Sequence, residues 1–371
     1  MKISCFLTMT AALIGLQSCS SKEEGFEISF ELSNAKDAKI LVNQDVPEMK
    51  SWYIDTIPLV DGKAIYRGKV AFPQKLEFSF HGPAGEFYGA CGVFTDNSRI
   101  QVKGDFRQLK ACTSTGGKAD TEFREIEEKG SQLFRRFNVL SYERGQAFKK
   151  DRHKYDSLSR LADLAQQKVF DYILAIPGYS KSPVAAYFVF KNFGTSNMKE
   201  LQKAVNAFDS SMGSNPYVAQ CRKDMENELK VMPGNMAPDF TLQDLEGKEY
   251  SLSALKGKYI LLEFSASWCG WCKLEVPYLK QLYEKTKGKN FVMLTVNLDE
   301  KRSKWEEDVK AHQLPWPVIS DLKGFNGGMS ALYNIGGIPM TYLISPEGKI
   351  LKKGLRREPM IQYITTLLEN K

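Results

Sequence analysis

The stretch that decides the fold runs from Tyr259 to Cys272 and reads YILLEFSASWCGWC. Its first half is a compact apolar run, which predicts a buried β-strand. Its second half ends in two cysteines, Cys269 and Cys272, separated by two residues. The residues that follow, 274–283, have the apolar spacing of a helix. The cysteine pair is therefore predicted to lie where a strand ends and a helix begins.

Two cysteines at this spacing serve either as half of a zinc site or as a redox pair. Zinc needs four ligands, and the sequence offers neither a second closely spaced cysteine pair nor a pair of neighbouring histidines. At a helix N-terminus, free N–H groups and the helix dipole stabilise an anion, which favours a thiolate on the first cysteine. We therefore predict thiol–disulfide exchange without a metal or other cofactor. Cys269 would attack a target disulfide, and Cys272 would resolve the mixed disulfide.

Residues 232–371 alternate strands and helices after Met232-Pro233-Gly234, which breaks the preceding helical pattern. Predicted strands cover residues 259–264, 291–296, 341–344 and 349–351, and predicted helices cover residues 274–283, 303–312 and 358–370. This alternation with short connections predicts an α/β fold.

Residues 232–371 also resemble the TlpA/ResA-type thiol:disulfide oxidoreductases of the thioredoxin superfamily. The resemblance rests on an N-terminal hairpin, the segment leading into the cysteines, a helix-kinking proline, a strand-end Asp followed by a Trp, and a cis-proline loop. In this sequence the hairpin is 237–248, the segment leading into the cysteines is 255–264 and the kinking proline is Pro277. The Asp and Trp are Asp299 and Trp305, and the cis-proline loop is 337–341. The resemblance implies a thioredoxin-like fold and an enzyme that exchanges disulfides with disulfide-containing protein clients.

The resemblance implies supporting roles for four further residues. Glu263 lies where thioredoxin-like proteins place a buried acid beneath the disulfide, so its pKa would be raised and it would take the proton from Cys272. Glu275 matches a thiol-tuning glutamate of the family. The alternative for either acid is an ordinary side chain exposed to water. Pro339 is expected to follow a cis bond opposite the cysteines, and Ile338 is expected to touch both the pair and the substrate.

Two tryptophans, Trp268 and Trp271, flank the first cysteine and are predicted to bind substrate, because an exposed aromatic side chain beside a reactive thiol suits recognition. Trp271 stands where reducing members of the family usually have proline. The residues between the cysteines influence the reduction potential. We expect a reductase that a membrane electron donor keeps reduced.

The residues from 25 to 231 indicate an architecture, but no motif among them points to a reaction. Within 25–115 apolar and polar residues alternate, and Asp61-Gly62 is typical of a turn, so we expect an all-β domain, a small antiparallel sandwich or barrel. Within 116–231 apolar residues recur at helical spacing. Ser182-Pro183 and Asn215-Pro216 resemble helix starts, so four or five helices are expected. The chain is therefore predicted to be multidomain.

The first 24 residues are not expected to belong to the fold. Residues 1–18 resemble a secretory signal, and Leu16-Gln17-Ser18-Cys19 resembles a bacterial lipobox, which implies a lipid on Cys19. An ordinary signal peptide with a chance cysteine is the alternative. Residues 19–24 would form a tether. We expect a lipid-anchored protein of the cell envelope that faces the periplasm, although Lys22-Glu23-Glu24 also resembles a signal for surface display.

Composition limits the remaining function classes. The chain has 371 residues, 43% hydrophobic and 26% charged, which excludes a disordered chain and a polytopic membrane protein. Its net charge is +7, but the basic residues are interspersed with acidic ones and form no continuous basic stretch. No nucleic-acid partner is therefore expected. Of the seven cysteines, Cys91 and Cys112 form either a structural disulfide or two buried thiols, and Cys221 is expected to be a buried thiol.

Two other functions stay open at this point. A thiol peroxidase is one, because the opening Ala237-Pro238-Asp239-Phe240 is shared with peroxiredoxins. Those enzymes need a threonine three residues before the reactive cysteine, where this chain has Ala266. The other is a non-catalytic binding lipoprotein of the envelope, which would have no need of two closely spaced thiols.

Overall fold

The computed structural model describes residues 25–35, 38–47, 54–108, 112–148, 151–325 and 327–369. The predicted signal peptide, Cys19 and the tether lie outside the described residues. The described chain divides into two compact units. The first contains the residues up to Asn192 together with Phe208–Tyr217, and the second contains Phe193–Ala207 and the residues from Val218 onward. The boundaries predicted at residues 115 and 231 remain predictions.

The first unit begins with a β-sandwich. Its described strands are β1 (Phe26–Ser33), β2 (Ala38–Gln44), β3 (Asp55–Leu59), β4 (Lys63–Gly68), β5 (Gln74–His81), β6 (Phe87–Thr95), β7 (Arg99–Asp105) and β8 (Thr113–Thr115). They form two four-stranded sheets with the orders β4-β1-β7-β8 and β3-β2-β5-β6. The alternating apolar residues of both sheets, such as Phe30, Phe78 and Phe80, pack into one buried core. The sandwich alternative is therefore the correct one.

Two details of the sandwich differ from the sequence prediction. The strands on either side of Asp61-Gly62 bridge only at Val60 and Lys63, and β3 and β4 then join different sheets. The sandwich is also not purely antiparallel, because β1 pairs with β7 in parallel. Alternation along a strand identifies its buried face but not its neighbour, so the sequence left this pairing undetermined.

Cys91 on β6 and Cys112, just before β8, are free thiols, so the alternative of a disulfide between them is wrong for this structure. Cys91 is buried and Cys112 is only half-buried, because Cys112 packs against the edge of the core that contains Cys91. Burial raises the pKa of the Cys112 thiol to about 11 and also raises the pKa of Cys91. Both thiols are therefore protonated and weakly nucleophilic near neutral pH.

Five α-helices follow in the described part of the chain: α1 (Lys118–Ala147), α2 (Arg152–Leu174), α3 (Pro183–Asn192), α4 (Met198–Asn206) and α5 (Pro216–Lys230). Both predicted helix starts are confirmed. The Ser182 hydroxyl accepts the Ala185 N–H at 2.9 Å, and the Asn215 side-chain oxygen accepts the Tyr217 N–H at 3.0 Å. Each cap satisfies one of the N–H groups that the helix itself leaves unpaired.

The second unit contains the α/β fold predicted from the cysteine region. Its strands are β9 (Thr241–Gln243), β10 (Glu249–Ser251), β11 (Tyr259–Ser265), β12 (Phe291–Asn297), β13 (Val318–Ile319), β14 (Met340–Ile344) and β15 (Ile350–Lys353). Its remaining helices are α6 (Gly270–Thr286), α7 (Arg302–His312), α8 (Gly328–Leu332) and α9 (Arg357–Glu369). β9 and β10 form the predicted hairpin. The other five strands form one sheet with the order β13-β12-β11-β14-β15.

The central strand β11 is buried on both faces, which explains its nearly continuous apolar sequence. Alternate residues face opposite sides of the sheet. Leu262 and Phe264 belong to a core with Tyr333 and Tyr342, whereas Leu261 packs with Leu279 and Leu282 of α6. Glu263, two residues after Leu261, therefore lies on the face that α6 covers.

None of the helices in the described part of the chain has the length and apolar character needed to cross a membrane.

The capping contact at Ser182 predicts a measurable loss of stability in Ser182→Ala. This change removes the acceptor for the Ala185 N–H and a hydroxyl that donates to the half-buried Glu122. We expect the free energy of unfolding to fall by about 1 to 2 kcal/mol, measured by urea denaturation followed by circular dichroism. Ser180→Ala, an exposed serine two residues earlier, is the control. Equal urea midpoints for the two variants would contradict the prediction.

Candidate active site

The helix α6 begins at the cysteine pair, as the sequence predicts. Cys269 is the N-cap residue, and its sulfur accepts the backbone N–H of Cys272 at 3.1 Å. The two cysteines are joined by a disulfide, with Cα atoms 5.3 Å apart. Both are largely buried, Cys269 being 4% and Cys272 2% exposed. The first sulfur thus sits at the positive end of the helix dipole, where a thiolate would be stabilised after reduction.

The inward face of α6 continues from Cys272 through Glu275, Leu279, Leu282 and Thr286, all of which are buried. The spacing of three and four residues places these side chains on one stripe facing the sheet. The alternative of an ordinary exposed side chain is therefore wrong for Glu275. Both carboxylate oxygens of Glu275 accept hydrogen bonds from Arg357, one from its backbone N–H at 3.1 Å and one from Nε at 3.2 Å.

Glu263 is also buried, at 4% exposure, so the exposed alternative is wrong for this residue too. The Thr295 hydroxyl donates to its carboxyl at 2.7 Å and itself accepts the indole N–H of Trp316 at 3.0 Å. Burial raises the pKa of Glu263 to about 7, and the nearby carboxylates of Asp308 and Glu275 add to the effect. Near neutral pH this carboxyl is thus able both to accept and to release a proton.

A second acid, Asp299, fixes the loop between β11 and α6. One of its carboxylate oxygens accepts the Ser267 backbone N–H at 2.9 Å, and the other accepts the Ser267 hydroxyl at 2.7 Å. Asp299 is itself held by a hydrogen bond from its N–H to the side chain of Asn297. The loop that carries Trp268 and Cys269 is therefore tied to the end of β12.

The loop before β14 lies against the first cysteine. The Ile338–Pro339 peptide bond is cis, as expected from the family resemblance. The carbonyl oxygen of Ile338 is 3.7 Å from the Cys269 sulfur, and the carbonyl oxygen of Pro339 accepts a hydrogen bond from the Arg356 guanidinium. Arg356 and Arg357, at the start of α9, thus hold the proline loop and Glu275 respectively.

The aromatic side chains beside the pair are accessible. Trp268 is 60% exposed and Trp271 37% exposed. The Trp268 ring contacts that of Phe325, which is also exposed, with ring centroids 6.0 Å apart. Next to them lies an open cleft of about 350 Å³ whose wall includes Lys301 and Lys304. The disulfide therefore has an apolar, solvent-facing border.

Sequence reasoning identified both cysteines, both glutamates, the tryptophans and the proline loop. The structure places the cysteines, Glu275 and the tryptophans at the start of α6, the proline loop against Cys269, and Glu263 on the sheet face that α6 covers. Sequence reasoning missed the contacts that hold them: Thr295 on Glu263, Asp299 on Ser267, and the two arginines of α9. The only signal for any of these was the strand-end Asp of the family pattern, because hydrogen bonds between residues this far apart in sequence leave no local pattern.

The remaining thiol of the second unit, Cys221 on α5, is not part of this site. It is buried, and burial raises its pKa to about 12, so it is protonated and unreactive near neutral pH. In the part of the chain that the structure describes, no three His, Cys, Asp or Glu side chains come together in a way that would hold a metal ion.

Known proteins share this region. Residues 233–353 match the family model described as AhpC/TSA family. A thiol-disulfide oxidoreductase ResA of Bacillus cereus is 37% identical over 124 residues, which are 33% of this chain and 70% of that protein. ResA of Bacillus subtilis (strain 168) is 33% identical over 141 residues, 38% of this chain and 77% of that protein. The chain belongs to the ResA family of thiol-disulfide oxidoreductases.

Solved structures of thiol-disulfide oxidoreductases cover the same part of the chain. The thioredoxin domain of one from Bacteroides vulgatus is 32% identical, with a TM-score of 0.36, and the match covers 37% of this chain and 98% of that domain. One from Bacteroides fragilis NCTC 9343 is 35% identical, with a TM-score of 0.35, and covers 36% of this chain and 100% of that chain. The family match covers the thioredoxin-like C-terminal part, and residues before 233 lie outside it.

The buried Glu263 predicts a pH-dependent difference in stability between the wild type and Glu263→Gln. The pKa of about 7 in the folded protein exceeds the ordinary value of 4.5, so the folded state binds this proton more tightly than the unfolded chain. The resulting stabilisation is complete below pH 4.5 and is lost as the pH rises through 7. Glutamine keeps an acceptor for Thr295 but does not titrate.

The free energy of unfolding of Glu263→Gln should therefore rise relative to that of the wild type by about 2 to 3 kcal/mol between pH 5 and pH 8. Urea denaturation of the oxidised proteins at the two pH values measures this difference. Because both proteins share every other titrating group, parallel pH profiles would show that Glu263 ionises normally.

Proposed function

We propose that this ResA-family enzyme is a lipid-anchored reductase of the cell envelope that reduces disulfides in protein clients through Cys269 and Cys272. The observation that carries the proposal is the position of Cys269. Its sulfur caps α6 and accepts a helix N–H, while its disulfide partner Cys272 lies one turn further along the inward stripe. This geometry supports one cysteine as nucleophile and the other as resolving thiol.

In the first step the Cys269 thiolate attacks a sulfur of the client disulfide. A bond forms between Cys269 and one client sulfur, the client disulfide breaks, and the other client sulfur leaves as a thiolate. The Cys272 N–H, which contacts the Cys269 sulfur at 3.1 Å, stabilises the attacking anion. The half-buried Ile338, whose carbonyl lies beside this sulfur, and the exposed Gly336 and Gly337 before it offer backbone groups to an extended client segment.

In the second step Cys272 resolves the mixed disulfide. Glu263 takes the proton from the Cys272 thiol, the resulting thiolate attacks the Cys269 sulfur, and the second client sulfur leaves as a thiolate. The client has then gained two electrons and the enzyme holds its disulfide again. The burial of Glu263 on the face covered by α6, with its raised pKa, supports its role as this base.

The acids around the pair favour the reducing direction. A strong disulfide oxidant owes its potential to a stabilised reduced form. Here Glu275 follows Cys272 on the buried stripe of α6, and Glu263 is buried on the sheet face that α6 covers, so negative charge on these carboxyl groups would oppose a further anion on sulfur. We infer that Glu275 tunes the thiols in this way, while Arg357 limits the effect by pairing with it.

The client-binding border is proposed to consist of Trp268, Trp271, Ile338 and Pro339. The two tryptophans present exposed aromatic area beside the disulfide, which suits an apolar client segment that becomes accessible when a misoxidised protein is not fully folded. A border that accepts different apolar segments fits an enzyme with several client proteins.

The proposed place of action rests on the N-terminal sequence. The lipobox-like Leu16-Gln17-Ser18-Cys19 supports a lipid on Cys19 and a protein that faces the periplasm. Each turnover leaves the enzyme oxidised, so a membrane-bound dithiol or another two-electron donor must reduce it again. Localisation to the outer surface, suggested by Lys22-Glu23-Glu24, is distinguished by protease treatment of intact cells.

Thiol peroxidase activity is the second candidate, because the matching family model is described as AhpC/TSA. Against it stands Ala266, which offers no hydroxyl at the position where the peroxiredoxins need threonine. Peroxide consumption that depends on Cys269 would favour this second function.

The Cys269→Ser and Cys272→Ser variants separate the two cysteine roles. We expect Cys269→Ser to abolish reduction of insulin disulfides, because no nucleophile remains at the helix start. Cys272→Ser should instead accumulate a mixed disulfide between Cys269 and the client, because the resolving thiol is missing. Mass spectrometry of acid-quenched reactions measures both species.

Cys221→Ala is the matched control, since it removes a thiol of the same unit that the site does not use. It should reduce insulin at the wild-type rate. The proposed function is wrong if the wild-type enzyme reduces no disulfide at any potential, or if Cys269→Ser remains active.

The reduction potential of the pair tests the proposed direction. Thioredoxin-like proteins range from about −270 mV for reductants to about −120 mV for oxidants. We expect a value near the reducing end, because the two buried acids disfavour the thiolate of the reduced form. Equilibration with glutathione redox buffers, followed by trapping of free thiols, gives the potential. A value near the oxidising end would reverse the proposed direction and leave the exchange chemistry intact.

A further inference from the structure

A client that forms a disulfide with Cys269 brings its own neighbouring residues close to Trp268, because Trp268 directly precedes Cys269 in the chain. Consecutive Cα atoms are about 3.8 Å apart, so a client residue one or two positions from the attacked cysteine can reach the Trp268 side chain. Trp268 borders the open cleft of about 350 Å³ described above, together with Phe325. The inference that follows concerns this Trp268–Phe325 cleft and rests on the exchange function proposed above.

The walls of the Trp268–Phe325 cleft are apolar and come from three separate segments. Trp268 is 60% exposed and Phe325 is 41% exposed, and their ring centroids lie 6.0 Å apart. Leu298, between β12 and α7, also lines the cleft and is itself only 1% exposed. The cleft therefore presents two accessible aromatic rings together with a buried aliphatic side chain.

Both aromatic walls are tied to the same end of β12. The loop of the first ring is held by Asp299, whose carboxylate accepts the Ser267 N–H at 2.9 Å and the Ser267 hydroxyl at 2.7 Å. The segment that leads to the second ring is held by Ser320, whose hydroxyl donates to the Asn297 carbonyl oxygen at 2.7 Å. Because neighbouring residues of one segment hold both walls, the cleft is preformed, and binding needs little ordering of the protein.

A glycine fixes the second ring more closely. Gly324 directly precedes Phe325 and has a φ of +55°, in the left-handed region that favours glycine. A Cβ at this position would also lie 2.7 Å from a carboxylate oxygen of Glu300. The Glu300 side chain thus packs against Gly324, which connects the loop of Phe325 to the residues before α7.

The charges that line the Trp268–Phe325 cleft balance each other. Two lysines, Lys301 and Lys304, face two acids, Asp299 and Glu300, around its wall. Both carboxylate oxygens of Asp299 already accept hydrogen bonds, and Lys304 pairs with Glu307 at 2.7 Å. The lining therefore has no net charge, and apolar surface is what it offers to a client.

We propose that the Trp268–Phe325 cleft is a client subsite that takes one aromatic side chain from a position next to the client cysteine. Ligand sites have volumes of about 300 to 1,000 Å³, and this cleft lies at the small end, which suits one side chain. An aromatic side chain gains most there, because it removes a large apolar area from water and pairs with rings at centroid distances of about 4.5 to 7 Å. Aromatic side chains are mostly buried in folded proteins, so the subsite selects client segments that are not fully folded.

Two pairs of peptides test the subsite. Each peptide has one cysteine, joined in a mixed disulfide to thionitrobenzoate, and the peptides of a pair have either Phe or Ala directly after the cysteine or directly before it. The reduced enzyme attacks the peptide sulfur, a bond forms between that sulfur and Cys269, and thionitrobenzoate leaves as a coloured thiolate, because it is the better leaving group. The rate of colour release against peptide concentration gives the half-saturation concentration and the maximum rate separately.

In at least one pair, the wild type should reach half-saturation at a concentration on the order of tenfold lower for the Phe peptide, because its ring leaves water in the cleft. The two maximum rates should agree within about twofold, since the subsite binds a residue that does not react. In Phe325→Ala the Phe advantage should fall to about threefold or less, because one wall is lost. Phe325→Tyr, which keeps a ring, should retain the advantage.

Leu332→Ala is the matched control. Leu332 on α8 is as exposed as Phe325, at 41%, and does not line the cleft. Its substitution removes a similar exposed apolar side chain from the same unit, and this variant should keep the full advantage of the Phe peptide.

The outcomes separate the subsite from the proposed function. Equal half-saturation concentrations for Phe and Ala in both pairs would show that the wild type has no such subsite, while release of thionitrobenzoate would leave the exchange function standing. This comparison uses the wild type alone and does not depend on the folding of a variant. A full Phe advantage in Phe325→Ala would also contradict the subsite. If the wild type releases no thionitrobenzoate from any peptide, the exchange function is wrong and the subsite fails with it.

Discussion

The start of helix α6 is the constraint on which the active site depends. A helix leaves its first N–H groups without partners inside the helix, and here the Cys269 sulfur accepts one of them. The same position ends the loop that Asp299 ties to β12 through Ser267, and it faces the carbonyl of Ile338 in the proline loop. The helix start and the proline loop thus meet at one sulfur atom, whose charge after reduction the helix start would stabilise.

The site also keeps two acids where the fold would favour apolar side chains. Glu263 lies in a strand that is otherwise apolar, and Glu275 interrupts the inward apolar stripe of α6. Each is satisfied differently: Thr295 gives Glu263 a neutral donor, whereas Arg357 gives Glu275 a charge. Conflicts of this kind between a residue and its surroundings are expected at functional sites.

Local pattern was enough to predict most of the thioredoxin-like part. The apolar run 259–264 became β11, and the helix after the cysteines became α6. In the helical region before this part, the Ser182 and Asn215 caps also start helices as expected. The sequence pattern did not predict strand pairing where the paired strands are far apart in the chain. The parallel pairing of β1 with β7 and the divergence of β3 from β4 are decided by how two sheets share one core, which alternation within a strand does not encode.

The sequence by itself determined the reactive pair, because the strand, the two cysteines and the helix are neighbours in the chain and their order alone places sulfur at a helix N-terminus. Tertiary structure decided which groups act on that pair. The burial of Glu263 and Glu275, the free state of Cys91 and Cys112, and the hydrogen bond from Asn297 to Asp308 arise from contacts between distant segments. The physical reason is that a helix start is set by bonds within a few residues, whereas desolvation and charge depend on everything that packs around a side chain.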